Sequence, residues 1–204
     1  MEAKKIKKSR KIGAPTGPRN ADGKRSLLLE AASSLFIEKG YDKATMDEIA
    51  SAANVAKGTL YHYFKNKAEL LQAMREDFEK EAMARVIPAV SACEPDDHIS
   101  KIKAWVDGAV RAYFELNEMH DVAIYGSGMP FRNTMADAEI TKSLKTIIID
   151  GADAGVWNIE DPHWTAVTMF YSFRGGCDEA ILGTVTTEEV PEKLKTLFLR
   201  ILGK

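Results

Sequence analysis

Residues 55–67, VAKGTLYHYFKNK, crowd three aromatics and a histidine among three lysines, a glycine and a threonine. The stretch is too polar for a core and too aromatic for an ordinary solvent face. Placed on a helix that starts at Lys57 and advances about 100° per residue, it resolves into two faces. Leu60 and Phe64 share one side, with Tyr63 about 60° away, and point inward. Gly58 and His62 fall opposite, flanked by Thr59 and Tyr61, with Lys57 at the helix N-terminus. Every outward side chain can hydrogen-bond, and glycine lets the backbone approach another surface closely. An α-helix presenting such an edge fits the DNA major groove, where the N-terminal residues of the helix reach base edges. Packing is the alternative role for Tyr61 and Tyr63.

The flanking sequence supplies the rest of a helical unit. Leu28, Ala32, Leu35 and Phe36 recur at helical spacing from Arg25 onward, and Gly40 ends that run. Thr45-Met46-Asp47-Glu48 reads as a capping box, so a short second helix starts at about Met46 and runs to Ala53. Asn54 suits the tight turn before the third helix, because asparagine enters the left-handed region more easily than most residues. Asn66-Lys67-Ala68-Glu69 reads as a second capping box that opens a longer fourth helix. Two short helices about a tight turn, behind a longer first helix, make a helix-turn-helix pattern. Thr45 and Lys67, each at a helix start, are expected to clamp phosphate, and Lys57 with Thr59 to read bases.

Residues 25–71, RSLLLEAASSLFIEKGYDKATMDEIASAANVAKGTLYHYFKNKAELL, resemble the DNA-binding domain of the tetracycline-repressor (TetR) family of bacterial transcription regulators. The marks are LFIEKGYDKAT, IASAANV, KGTLYHYF and KNKAELL. The resemblance implies DNA contact at the positions of Thr45, Lys57, Gly58, Thr59, Tyr61, His62 and Lys67. Two positions depart from the family's habit. Asn54 stands where glycine is common, which the turn absorbs. Ala56 stands where serine is common, so the third helix loses a side-chain cap, about 1 kcal/mol, and a hydroxyl for phosphate.

Composition agrees with a DNA-facing front and a different rear. The chain has 204 residues, of which 45% are apolar, enough for a sizeable core. Residues 1–67 carry 14 Lys+Arg and 7 Asp+Glu, a balance of +7, and residues 68–204 carry 14 and 23, a balance of −9. Only the basic front is expected to meet a polyanion. Residues 1–22 form an expected disordered basic arm, 23–67 the DNA-binding unit, and 68–204 a ligand-binding and dimerisation unit. No apolar run approaches the roughly 18 residues of a membrane span. The N-terminus lacks the apolar stretch of a secretory signal, and Cys93 and Cys177 read as reduced structural thiols of a cytoplasmic protein.

Behind residue 67 the pattern stays helical, and the fold class is all-α. The fourth helix is expected to end at Pro88. Further helices are expected through Ile102–Phe114, Ala136–Val156, His163–Leu182 and Glu188–Leu202, with a break at YGSGMP (125–130). Trp105, Tyr113, Phe114, Tyr125, Met129, Phe131, Met169, Phe170 and Phe173, with Trp157, could line a small-molecule cavity or simply fill the core. Arg174, Asp107 and Arg111 lie in apolar helical stretches, as pocket anchors, ion-pair partners or interface residues. The resemblance implies an inducer bound in this domain. Val190, Leu194, Leu197, Phe198 and Ile201 form one apolar stripe, and Gly175-Gly176 would permit close helix approach. The resemblance implies that the last two helices pair with their copies in a homodimer, which also suits a palindromic operator.

Catalytic signals are weak. His62, His98, His120 and His163 are scattered without metal-ligand spacing, and Gly126-Ser127-Gly128 is no nucleophile elbow. No metal and no cofactor are expected. The leading expectation is a ligand-responsive repressor released from a palindromic operator by a small-molecule effector. The alternatives are an all-α enzyme acting on a small molecule and a DNA-binding regulator without ligand.

Overall fold

A computed structural model of the chain describes residues 18–116 and 138–204, and within them every regular element is a helix. The order is α1 Pro18–Lys39, α2 Met46–Ala52, α3 Lys57–Tyr63, α4 Lys67–Ser91, α5 His98–Glu115, α6 Glu139–Asp153, α7 Pro162–Ile181 and α8 Val190–Ile201. Tyr125, Met129, Phe131 and the YGSGMP break lie outside the described residues, as do residues 1–17 of the expected arm.

Two boundaries differ from expectation for local reasons. Helix α1 begins at Pro18, seven residues ahead of Arg25, so the end of the expected arm is helical. A proline at the first helical position lacks only an N–H that would have no intrahelical partner anyway. Helix α4 does not stop at Pro88 but continues to Ser91. The proline forfeits one helical hydrogen bond, yet its own carbonyl still accepts from Ala92 N at 3.1 Å. Val86 is buried and Val90 packs against the same rear core, which offsets the missing bond.

The helices enclose two separate cores. The front core gathers Leu28, Leu35 and Phe36 of α1, Ile49 and Ala50 of α2, Leu60 of α3 and Phe64. Leu70, Leu71 and Met74 of α4 close it. The rear core is built on Trp105, Val106 and Tyr113 of α5, Ile147 and Ile148 of α6, Met169, Phe170 and Phe173 of α7, and Leu194 and Phe198 of α8. Helix α4 therefore belongs to both: its first two turns to the front, and Val86 to the rear. Its rear half lies hard against α5 at Gly108, where a Cβ would stand 2.9 Å from Val86 Cα and 3.1 Å from the Arg85 carbonyl. The Arg85 guanidinium meets Glu115 of α5 at 2.8 Å. Helix α4 thus links the two cores.

Candidate nucleic-acid interface

The helix-turn-helix is set by caps and one left-handed residue. The Thr45 hydroxyl accepts from Glu48 N at 3.2 Å, while Glu48 Oε2 accepts from Thr45 N at 3.0 Å, which is the expected capping box. Asn54 has φ of 52°, the left-handed turn conformation expected of it. Ala56 stands at the N-cap of α3 and makes no side-chain cap, as its methyl requires. The second expected box is only half formed. Asn66 accepts from Glu69 N at 3.0 Å, but the Glu69 carboxylate reaches past it to Lys65 N at 2.8 Å.

Helix α3 is held by one side and bare on the other. Leu60 is fully buried, Phe64 is buried and Tyr63 is half-buried, as the wheel predicts. Lys57, Gly58, Tyr61 and His62 are exposed and Thr59 is half-exposed. A Cβ built on Gly58 would meet no atom within 4 Å, so the chain leaves the space in front of that face open. The His62 ring rests edge-on against Tyr63, with centroids 5.5 Å apart.

Three polar side chains have partners that the sequence did not announce. Lys57 pairs with Asp47 of α2 at 2.7 Å, with its ammonium 5.8 Å from the centre of the Tyr61 ring. The hydrogen bond to Asp47 raises the Lys57 pKa despite some desolvation. Glu48, besides capping α2, binds Lys39 of α1 at 2.8 Å. The hydrogen bond from Lys39, then those from Thr45, hold the Glu48 carboxyl down at about 2. The Thr45 hydroxyl itself also donates to Glu48 Oε2 at 3.0 Å. Lys67 is half-buried, and its ammonium donates to the carbonyls of Tyr41 at 2.6 Å and Asp42 at 3.1 Å. Partners 9 to 26 residues away across turns leave no periodic trace, so only the fold brings them together.

Residues 28–74 match the sequence model of bacterial regulatory proteins of the tetR family. The HTH-type transcriptional regulator YhgD of Bacillus subtilis strain 168 is 31% identical over 156 residues, a match spanning 72% of this chain and 78% of that protein. The chain belongs to the tetR family.

As a member of that family it is a DNA-binding transcription regulator. The HTH-type transcriptional activator FasR of Mycolicibacterium smegmatis is 37% identical over 100 residues, 49% of this chain and 42% of that protein. The fold matches that of the fatty acid degradation regulator FadR from Bacillus halodurans, with a TM-score of 0.70 at 20% identity, over 91% of this chain and 97% of that one.

The rear candidates of this tetR-family chain are brought together in one cluster. Trp105 packs edge-on against Phe173, and Phe173 edge-on against Tyr113, at 5.6 and 5.7 Å between centroids. Met169 and Phe170 are buried beside them, Trp157 is buried in the same core, and Phe114 is half-buried at its margin. The Trp105 indole donates to Ser143 Oγ at 2.9 Å, and the Tyr113 hydroxyl donates to Asp178. Of the charged residues in apolar stretches, Asp107 pairs with Lys195 at 2.7 Å, Arg111 is exposed and Arg174 is half-buried. Burial pushes the Cys177 thiol up, with Asp178 adding to it, as expected of a structural thiol.

The apolar stripe of the last helix divides between two duties. Val190, Leu194 and Phe198 are consumed by the rear core of their own chain. Leu197 and Ile201 stay exposed. The glycine pair divides likewise: Gly176 faces Leu194 at 3.3 Å, whereas Gly175 faces open space.

Proposed function

We propose that this regulator is a homodimer that reads a palindromic operator with α3 and releases it when a small molecule occupies the rear domain. The observation that carries the DNA reading is the bare face of α3: Lys57, Gly58, Tyr61 and His62 stand exposed over a helix anchored by fully buried Leu60. Lys57 and Thr59, near the helix N-terminus, reach base edges, and Tyr61 and His62 flank them.

The dimer reading is supported by a second bare face. On α7 and its cap, Tyr171, Gly175 and Leu182 all fall within about 20° of Trp164 on the helix wheel. Trp164 is 69% exposed and Leu182 74% exposed, which is unusual for large apolar side chains along one line. Leu197 and Ile201 of α8 add a second exposed apolar pair. A second copy of the same two helices is the self-complementary occupant, and its two-fold axis suits two half-sites about 34–36 Å apart.

The effector reading is supported by the aromatic cluster around Trp105, Tyr113 and Phe173, with the Tyr113–Asp178 hydrogen bond as a polar anchor inside it. A cavity opened among these side chains would suit a small, mainly apolar molecule carrying one hydrogen-bonding group. The relative FasR is an activator, and the sign of regulation follows from where the operator lies relative to the promoter. A second reading, a regulator without ligand, is favoured by the ring-on-ring packing of the same aromatics, which already satisfy one another.

The test begins with selection of a duplex from a randomised pool by the full-length protein. The expected product is a palindrome bound with steep salt dependence. Fluorescence anisotropy on that duplex then screens small apolar compounds, with medium-chain fatty acids as the first arm. Loss of binding by an effector supports the repressor reading. Selection of no consensus would sink the reading of α3.

A further inference from the structure

Lys67 stands in the first turn of α4, where a lysine beside a DNA-facing unit invites a phosphate, yet its ammonium is already engaged within the chain. Its ammonium donates to the backbone carbonyls of Tyr41 and Asp42 and lies 4.7 Å from the centre of the Tyr41 ring. The Tyr41 ring in turn meets buried Phe36 edge-on, with centroids 5.2 Å apart. A single side chain of α4 therefore holds both the backbone and the ring of the α1–α2 turn against the front core. The capping residue Thr45 follows Asp42 by three positions, so the placement of this turn sets the start of α2 and, through the left-handed Asn54, of α3.

We propose that Lys67 is a positioning residue for DNA recognition, tying the start of α4 to the α1–α2 turn, and that its ammonium contacts no phosphate. The inference rests on the reading of α3 as the DNA-reading helix. Hydrogen bonds from a charged donor are stronger than neutral ones, and two carbonyls plus a ring face absorb this ammonium from three directions. A turn fixed in advance removes an ordering cost that binding would otherwise meet. The same tie hands any displacement of α4 directly to the helix-turn-helix.

The experiment uses the full-length protein and the duplex selected above. Lys67→Met keeps the stem and removes the ammonium. Its affinity is expected to fall about tenfold, while the slope of log K against log salt stays at the wild-type value. In the DNA-free protein, the Ala44 amide, bonded to Gly40 O at 3.2 Å within the same turn, is expected to exchange with solvent about tenfold faster. Lys67→Arg, which keeps charge and donors, holds that exchange near wild type. A phosphate clamp behaves otherwise: each lost contact flattens the salt slope by about 0.9, so two protomers lose about 1.8. A slope flattened by that amount with Ala44 exchange unchanged overturns the proposal, and so does a Lys67→Met protein that matches wild type in both readouts. The exchange measurement needs no DNA, so it decides on Lys67 even where selection returns no operator.

Discussion

Asp47 and Lys57 belong to different helices, and the tight turn at Asn54 brings their charges within 2.7 Å. Both side chains remain more than half exposed, so the pair contributes little to stability, and its consequence lies in where it holds the lysine. Lys57→Ala is expected to lower operator affinity about ten- to a hundredfold and to relax discrimination at one base position, with the melting temperature nearly unchanged. Anisotropy on matched and mismatched duplexes, beside a thermal melt, separates the two effects. Glu48 makes a second residue-scale prediction. Its folded pKa is depressed to about 2 from an ordinary 4.5, so its contribution to stability is complete above pH 4.5 and is lost as pH falls towards 2. Carboxyl NMR titration should place it at about 2, and Glu48→Gln should remove that part of the acid dependence. The cap that Glu48 makes was legible in the sequence, because Thr45 and Glu48 are three residues apart. Its pairing with Lys39 was not, because that contact depends on how α1 meets α2.

Helix α3, the proposed recognition helix, forms with little local encouragement. It has seven residues, no side-chain cap at Ala56 and a glycine at its second position. It stands because Leu60 and Phe64 are sunk in the front core, and tertiary burial overrides weak propensity. Gly58→Ala is therefore informative. The new methyl meets no atom within 4 Å, so alanine is expected to stabilise the protein by about 0.5–1 kcal/mol. The same methyl would stand in the space proposed for DNA, so operator affinity should fall while stability rises. Urea unfolding and anisotropy on one preparation check both signs, and a fall in both would show that glycine serves the fold. The faces of α3 could be read from spacing alone. The end of α4 could not: Pro88 looks like a stop until Val86 and Val90 are seen packed in the rear core.

At the scale of the molecule, the two cores share α4, and each has spent its apolar residues differently. Periodicity marked Val190, Leu194, Leu197, Phe198 and Ile201 as one stripe, yet only the packed fold tells which of them the chain's own core consumes. Three are buried, and the exposed remainder, with Trp164, Tyr171 and Leu182, is the face proposed to meet a second copy. A carboxylate placed in a self-complementary interface enters it from both copies, so one substitution counts twice. Leu182 and Leu197 are exposed in the single chain, and replacing both with glutamate should leave the helical content and both cores intact. The Leu182→Glu/Leu197→Glu protein is expected to run as a monomer in light scattering. Its affinity for the full palindrome should fall about a hundredfold or more, because the second half-site no longer binds from the same particle. Its affinity for a single half-site should equal that of wild type, since α3 lies in the other core. A double variant that remains dimeric would move the interface off α7 and α8, and a monomer that still held the palindrome at wild-type strength would separate DNA affinity from dimerisation.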